Sequence, residues 1–166
     1  TKEELMDDET VRPLNAEDST KFRALAARAN YLAQDKPDIQ YAAKEICRDM
    51  ATPTTRSWTR IKRLARYLVS HPCTVMHYST NGGVAPKDLV VYSDSDWAGC
   101  ARTRRSTSGG AMTIGAGLVK SWSSTQATVA TSSGEAEYYA LTKAAAEGLG
   151  AQALMLDMGW VVGLQV

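Results

Sequence analysis

The chain changes its periodicity once, around Asn81-Gly82-Gly83 and Pro86, and this change constrains the fold more than any other feature of the sequence. Upstream, apolar residues recur every three or four positions, the spacing of a helix with one buried face. Phe22, Leu25, Ala26, Ala29 and Leu32 form the first such series, which stops at the turn-like Gln34-Asp35-Lys36-Pro37. Ile39, Ala42, Ala43, Ile46, Cys47 and Met50 form the second, ending near Pro53. A third runs from about Thr55 to Val69 with Trp58, Ile61, Leu64, Ala65 and Leu68 on its apolar face. Short helices joined by proline-containing turns predict a small helical bundle.

Downstream of the change, β-branched residues and glycines take over. Leu89 to Ser93 reads as a buried strand, and Thr107 to Ile114 and Leu118 to Ser124 as two more, joined by the tight turn Gly115-Ala116-Gly117. Sequential strands with short connections make an antiparallel meander. Ser132-Ser133-Gly134-Glu135 has the pattern of a capping box, with Ser132 capping a helix that runs to about Met158 and Glu135 reaching back to the cap backbone. Trp160 to Val166 then reads as a fourth strand, parallel to one already in the sheet because it is reached through a helix. The fold class is α+β, divided into an acidic segment over 1–18, a helical region over 19–78, a linker over 79–88 and a sheet-bearing domain over 89–166.

Charge is sorted by position although the net value is only +1. The first eighteen residues hold Glu3, Glu4, Asp7, Asp8, Glu9, Glu17 and Asp18 against Lys2 and Arg12, whereas no acid occurs from Met50 to Pro86. Within that acid-free stretch the third helix carries Arg56, Arg60, Lys62, Arg63 and Arg66. Exposed structural helices commonly mix signs to form pairs one turn apart, so this helix face is expected to meet phosphates. Cys47, Cys73 and Cys100 are far apart, without a CxxC pair or a histidine at ligand spacing, which argues against a zinc site or a disulfide framework and for a reducing compartment. The opening residues have no apolar run of signal type, and Asp157 interrupts the longest apolar stretch, so no membrane insertion is expected. The chain opens on Thr1 rather than Met and closes on an apolar run, which leads us to expect a fragment.

Two acids, Asp94 and Asp96, stand at the exit of the first strand in Tyr92-Ser93-Asp94-Ser95-Asp96-Trp97. They are either turn residues bonding their own backbone or functional carboxylates. Glu137 shares a predicted helix face with Ala140, Leu141, Ala144, Ala145 and Gly148, and is therefore expected to point inward. An inward carboxylate near a strand that ends in another needs a counter-charge, for which a hard divalent cation is suited. The loop Arg102-Thr103-Arg104-Arg105-Ser106-Thr107 offers Arg104, Arg105 and Ser106 to phosphates, or else is a solvated hairpin loop. Of the tryptophans, Trp58 and Trp122 read as packing residues and Trp97 as a frame for the acids.

The strings YSDSDWAG, TRRSTSGG, KSWSS and SSGEAEYYAL, in that order, resemble the RNase H domain of copia-type retroelements. Upstream, RALAARANYLAQDKPDIQYAAKEI and WTRIKRLARYL resemble the reverse transcriptase thumb and connection region of the same polyproteins. The resemblance covers nearly the whole chain. It implies an incomplete RNase H-like sheet, with Asp94 matching the metal-binding acid of the first strand and Glu137 that of the helix, assisted more weakly by Asp96. The family's centre holds two Mg²⁺ ions roughly 3.5 to 4 Å apart and hydrolyses RNA paired to DNA. Its next acid belongs to the fourth strand and is expected beyond Val166, so this chain alone is expected to be inactive. Integrases share the architecture but place their glutamate last, whereas here it comes second. An alternative is a domesticated remnant serving as a non-catalytic accessory or scaffold, and another is a binding module without chemistry. The half sheet leaves an edge uncovered, so a partner chain or the remainder of the domain is expected to cover it.

Overall fold

The computed structural model describes residues 11–78 and 87–166. The linker expected at Asn81-Gly82-Gly83 and most of the acidic opening segment lie outside the described residues. The chain divides into two compact units, one ending at Thr74 and the other beginning at Val75.

The first unit is built from α1 (Ala16–Leu32), α2 (Gln40–Cys47) and α3 (Thr55–Ser70). Asn15 caps α1 by accepting the Asp18 backbone N–H at 2.7 Å, and Glu17 and Asp18 place negative charge in its first turn. Pro37 opens the short 3₁₀ turn that leads into α2. Thr54 and Ser57 cap α3 reciprocally. One core joins the three helices: Phe22, Ala26, Ala29, Ile39, Ala43, Ile46, Ile61 and Leu64. Phe22 is fully buried among alanines, whose small side chains let the helices approach. Leu25 and Leu32 sit at the margin of that face rather than in it, at 40% and 36% exposure.

The second unit is a four-stranded mixed sheet with one long helix against it. Its strands are β1 (Asp88–Asp96), β2 (Thr107–Ile114), β3 (Gly117–Thr125) and β4 (Gly163–Gln165), in the order β3-β2-β1-β4. β1 pairs antiparallel with β2, β2 antiparallel with β3, and β1 parallel with β4. The sheet is open. Gly115 takes a left-handed φ of 57° in the turn between β2 and β3. β1 extends three residues beyond the expected Ser93, because Asp94, Ser95 and Asp96 continue the ladder opposite Gly109, Ser108 and Thr107. β4 is shorter than expected. Gly159, at φ 82°, ends the helix, and Trp160 to Val162 are used in turning back before pairing begins at Gly163.

α4 (Ser133–Asp157) buries Ala136, Ala140, Ala144, Gly148 and Met155. Of these, Ala144 and Met155 join Leu89, Val91, Met112 and Val162 in the second core, with Trp122 and Leu164 partly buried against it. Polar contacts add to the apolar seam: Lys143 Nζ donates to Ser124 Oγ at 2.7 Å and Lys120 pairs with Glu147 at 2.6 Å. Trp122 covers Gly110 across the β2–β3 pair so closely that a Cβ there would fall within the indole ring. Gly110→Val should therefore destabilise this unit by about 1–3 kcal/mol through overpacking. Urea denaturation followed by near-ultraviolet circular dichroism would measure this, and an unchanged midpoint would contradict the packing.

Candidate functional site

The amino end of α4 lies at the carboxyl end of β1. Three contacts establish this. Trp97 Nε1 donates to the Ala130 carbonyl at 3.2 Å, Gln126 Nε2 donates to the Ala136 carbonyl at 2.9 Å, and the same Nε2 reaches Ser108 Oγ at 3.0 Å. Ser108 is the ladder partner of Ser95, between the two strand acids.

Asp94 is exposed on β1. Leu89 and Val91 face α4, so strand alternation turns Ser93 and Ser95 towards the helix and Asp94 towards the other face of the sheet. Glu137 is exposed as well, which corrects the inward orientation expected for it. The buried stripe of α4 runs through Ala136, Ala140, Ala144 and Gly148, so it keeps Ala140, Ala144 and Gly148 of the expected face but takes Ala136 in place of Glu137, and Leu141 is likewise 45% exposed. One helical step of about 100° carries Glu137 from that stripe to its rim. Both acids thus stand at the same end of the sheet, open to solvent. Asp96 is engaged locally, since its carboxylate accepts the Thr107 backbone N–H and folds over Gly99, where a Cβ would collide with it. Among the described residues, no three His, Cys, Asp or Glu side chains gather in a way that could hold a metal ion. These donors do not fit a complete two-metal centre.

Glu135 takes a different role from the one expected. Ser132 Oγ does accept the Glu135 backbone N–H, at 3.2 Å, but the Glu135 carboxylate reaches past the cap to the backbone N–H and hydroxyl of Thr131, at 2.6 and 2.7 Å. Tyr139 donates to its other oxygen at 3.2 Å. The Thr131 N–H, then the Thr131 hydroxyl and the Tyr139 hydroxyl, hold the carboxyl below the ordinary glutamate range.

The basic residues divide likewise. Arg56, Lys62, Arg63 and Arg66 are exposed on α3, while Arg60 pairs with Asp49 at 3.3 Å. Asp49 also accepts from the buried Ser57 hydroxyl at 2.9 Å, so Arg60 closes a structural network, and its counter-charge comes from just before the acid-free stretch. Lys62 lies over the Trp58 ring, 5.9 Å from its centroid. In the 97–106 loop, Arg104 and Arg105 are exposed, and Arg104 has a left-handed φ of 54°. Ser106 is fully buried and its Oγ accepts the Ala98 N–H at 3.0 Å, so it is a loop fastener and not a surface phosphate contact. Gln126, whose side-chain bonds join β2 to α4, was not among the residues expected from the sequence; its position directly after β3 was the available signal. Cys47, Cys73 and Cys100 are not joined by disulfides. Among the described residues, no helix is long and apolar enough to cross a membrane.

No family model and no solved structure matches the chain. Over 126 residues it is 37% identical to the secreted RxLR effector protein 161 of Plasmopara viticola, a match covering 76% of this chain and 87% of that protein. The chain belongs to that protein's family. It is 38% identical over 131 residues to an uncharacterized mitochondrial protein of Arabidopsis thaliana, and the match spans 53% of that relative's length. It is also homologous, at low identity, to the retrovirus-related Pol polyproteins from Arabidopsis transposons RE2 and RE1. The matches are 33% identical over 143 residues and 34% over 148, each taking 86% of this chain and 10% of the polyprotein.

The Glu135 cap sets a pH dependence. A carboxyl held below its unfolded value stabilises above that value, and the stabilisation is lost as pH falls through the lowered folded value. Amide exchange at Thr131 and in the first turn of α4 should therefore rise, after correction for intrinsic rates, only below the ordinary glutamate range. Glu135→Gln should abolish the step, and a step that survives in this variant would assign it to another group.

Proposed function

We propose that this chain is a copia-type Pol segment, carrying the thumb and connection part of a reverse transcriptase and part of an RNase H-like domain. Its parent cleaves RNA in RNA/DNA hybrids. The observation that supports this reading is that a strand acid, Asp94, and a helix acid, Glu137, stand at the same end of a mixed sheet, in the order strand, meander, helix. Homology to Pol polyproteins supports the same ancestry. In the parent, Mg²⁺ would supply water activation and leaving-group stabilisation. Asp94 and Glu137 are the residues we assign to it, with Asp96 held back by Thr107.

We assign no catalytic step to this chain by itself, since its described acids do not assemble a set of three. That same observation favours a second reading, an accessory or scaffold subunit that keeps the ancestral fold without its chemistry. Either way a protein partner or the rest of the domain covers the open sheet. α3 contributes backbone contacts through Arg56, Lys62, Arg63 and Arg66, with Arg104 and Arg105 as further phosphate contacts, and such contacts position a duplex without reading its sequence.

Two measurements test the reading. The purified chain with Mg²⁺ should leave a labelled RNA/DNA hybrid uncut; cleavage that disappears in Asp94→Asn would show a working centre in this chain. It should bind the hybrid with an affinity that falls steeply with salt. The double substitution Arg56→Ala/Arg66→Ala should flatten the slope of log K against log salt by about 2. An unchanged slope would remove α3 from the interface.

A further inference from the structure

We infer that Gln126 is a positioning residue that sets the Glu137-bearing turn of α4 against the acid-bearing end of β1, an inference that rests on the reading of Asp94 and Glu137 as the site's acids. Gln126 directly follows β3 and is 8% exposed. Its backbone N–H donates to the Ser106 carbonyl at 2.8 Å, while its side-chain amide donates to Ser108 Oγ at 3.0 Å and to the Ala136 carbonyl at 2.9 Å. Ala136 is the residue before Glu137. Ser108 lies opposite Ser95, flanked by Asp94 and Asp96. A single buried side chain thereby bonds to α4 next to Glu137 and to the β2 residue that pairs with β1 between Asp94 and Asp96.

The chemistry of the contact specifies glutamine. The Ala136 carbonyl only accepts, so the group facing it must donate, and an amide has two N–H bonds for its two partners. Among the described residues the Gln126 Oε1 has no hydrogen-bond partner, so the orientation of the amide is decided by its nitrogen. An ionised carboxylate in the same place could only accept and would repel the carbonyl. Leucine would fill the space without holding either partner. The charged groups on the elements packed around this contact include Glu137 and Asp94, both exposed, Glu135, tied to Thr131, Lys143, tied to Ser124, and Asp96, tied to Thr107.

Amide hydrogen exchange on the whole chain, wild type against Gln126→Leu and Gln126→Glu, tests the inference. In Gln126→Leu the amides of Glu137 to Ala140 should exchange roughly fivefold to tenfold faster, the effect of losing one or two net hydrogen bonds. Amides near Gly148 should stay at wild-type rates. Gln126→Glu should behave as the leucine variant above the pKa of its new carboxyl and return towards wild type below it, where the acid form donates one bond. A residue that merely fills space would show no such pH profile. Exchange at Glu137 to Ala140 that is unchanged in both variants, or raised equally along all of α4, would overturn the positioning role. Titrating the wild type with an RNA/DNA hybrid reports separately on the function proposed above. If Asp94 and Glu137 resonances do not respond, that function falls while the exchange result for Gln126 still decides the positioning role.

Discussion

The second unit depends on how closely α4 can approach β1. Ala136, Ala140, Ala144 and Gly148 present almost no side chain along one line of the helix, and the helix backbone comes down onto the strand. At Gly148 a Cβ would press on Leu164 and Val91, so β4 and β1 meet the helix at the same point. From that seam follow the burial of Leu89, Val91 and Met155 and the parallel pairing of β4 at the edge of β1. The polar tethers at Ser124, Glu147 and Ala136 stabilise a position that packing has already set.

The phase of that seam determines what the acids can do. With the alanine stripe against the sheet, Glu137 turns to the rim, and Asp94 turns away from the helix by strand alternation. Neither carboxylate is buried, so neither bears a desolvation cost, and both stay open to a ligand arriving from solvent. Between β2 and the helix end, the buried Gln126 bonds to Ser108 and to the Ala136 carbonyl.

Several polar residues that look available in the sequence are committed to internal partners. Arg60 meets Asp49, Asp96 meets Thr107, Ser106 meets Ala98, and Glu135 meets Thr131. The last three satisfy backbone N–H groups, of Thr107, Ala98 and Thr131, and Arg60 joins the Asp49–Ser57 network. The cations that stay exposed, Arg56, Lys62, Arg63 and Arg66, form a narrower basic surface than the composition of α3 suggests.

What was legible in the sequence was everything set by neighbours along the chain. The three N-terminal helices follow from apolar spacing and their caps, the meander from alternation and Gly115, the start of α4 from Ser132, and the parallel sense of β4 from the intervening helix. That Asp94 belongs to a strand and Glu137 to the helix that follows the meander was legible too, because each stands in a short local pattern. Tertiary structure alone decided which way those side chains face. A helix turns about 100° per residue, so covering Ala136 rather than Glu137 moves a carboxylate from interior to rim without altering local propensity. A partner such as Asp49 for Arg60, Ala98 for Ser106 or Ala136 for Gln126 is likewise chosen only when the chain folds back on itself, since those bonds form between segments whose local sequence carries no record of each other.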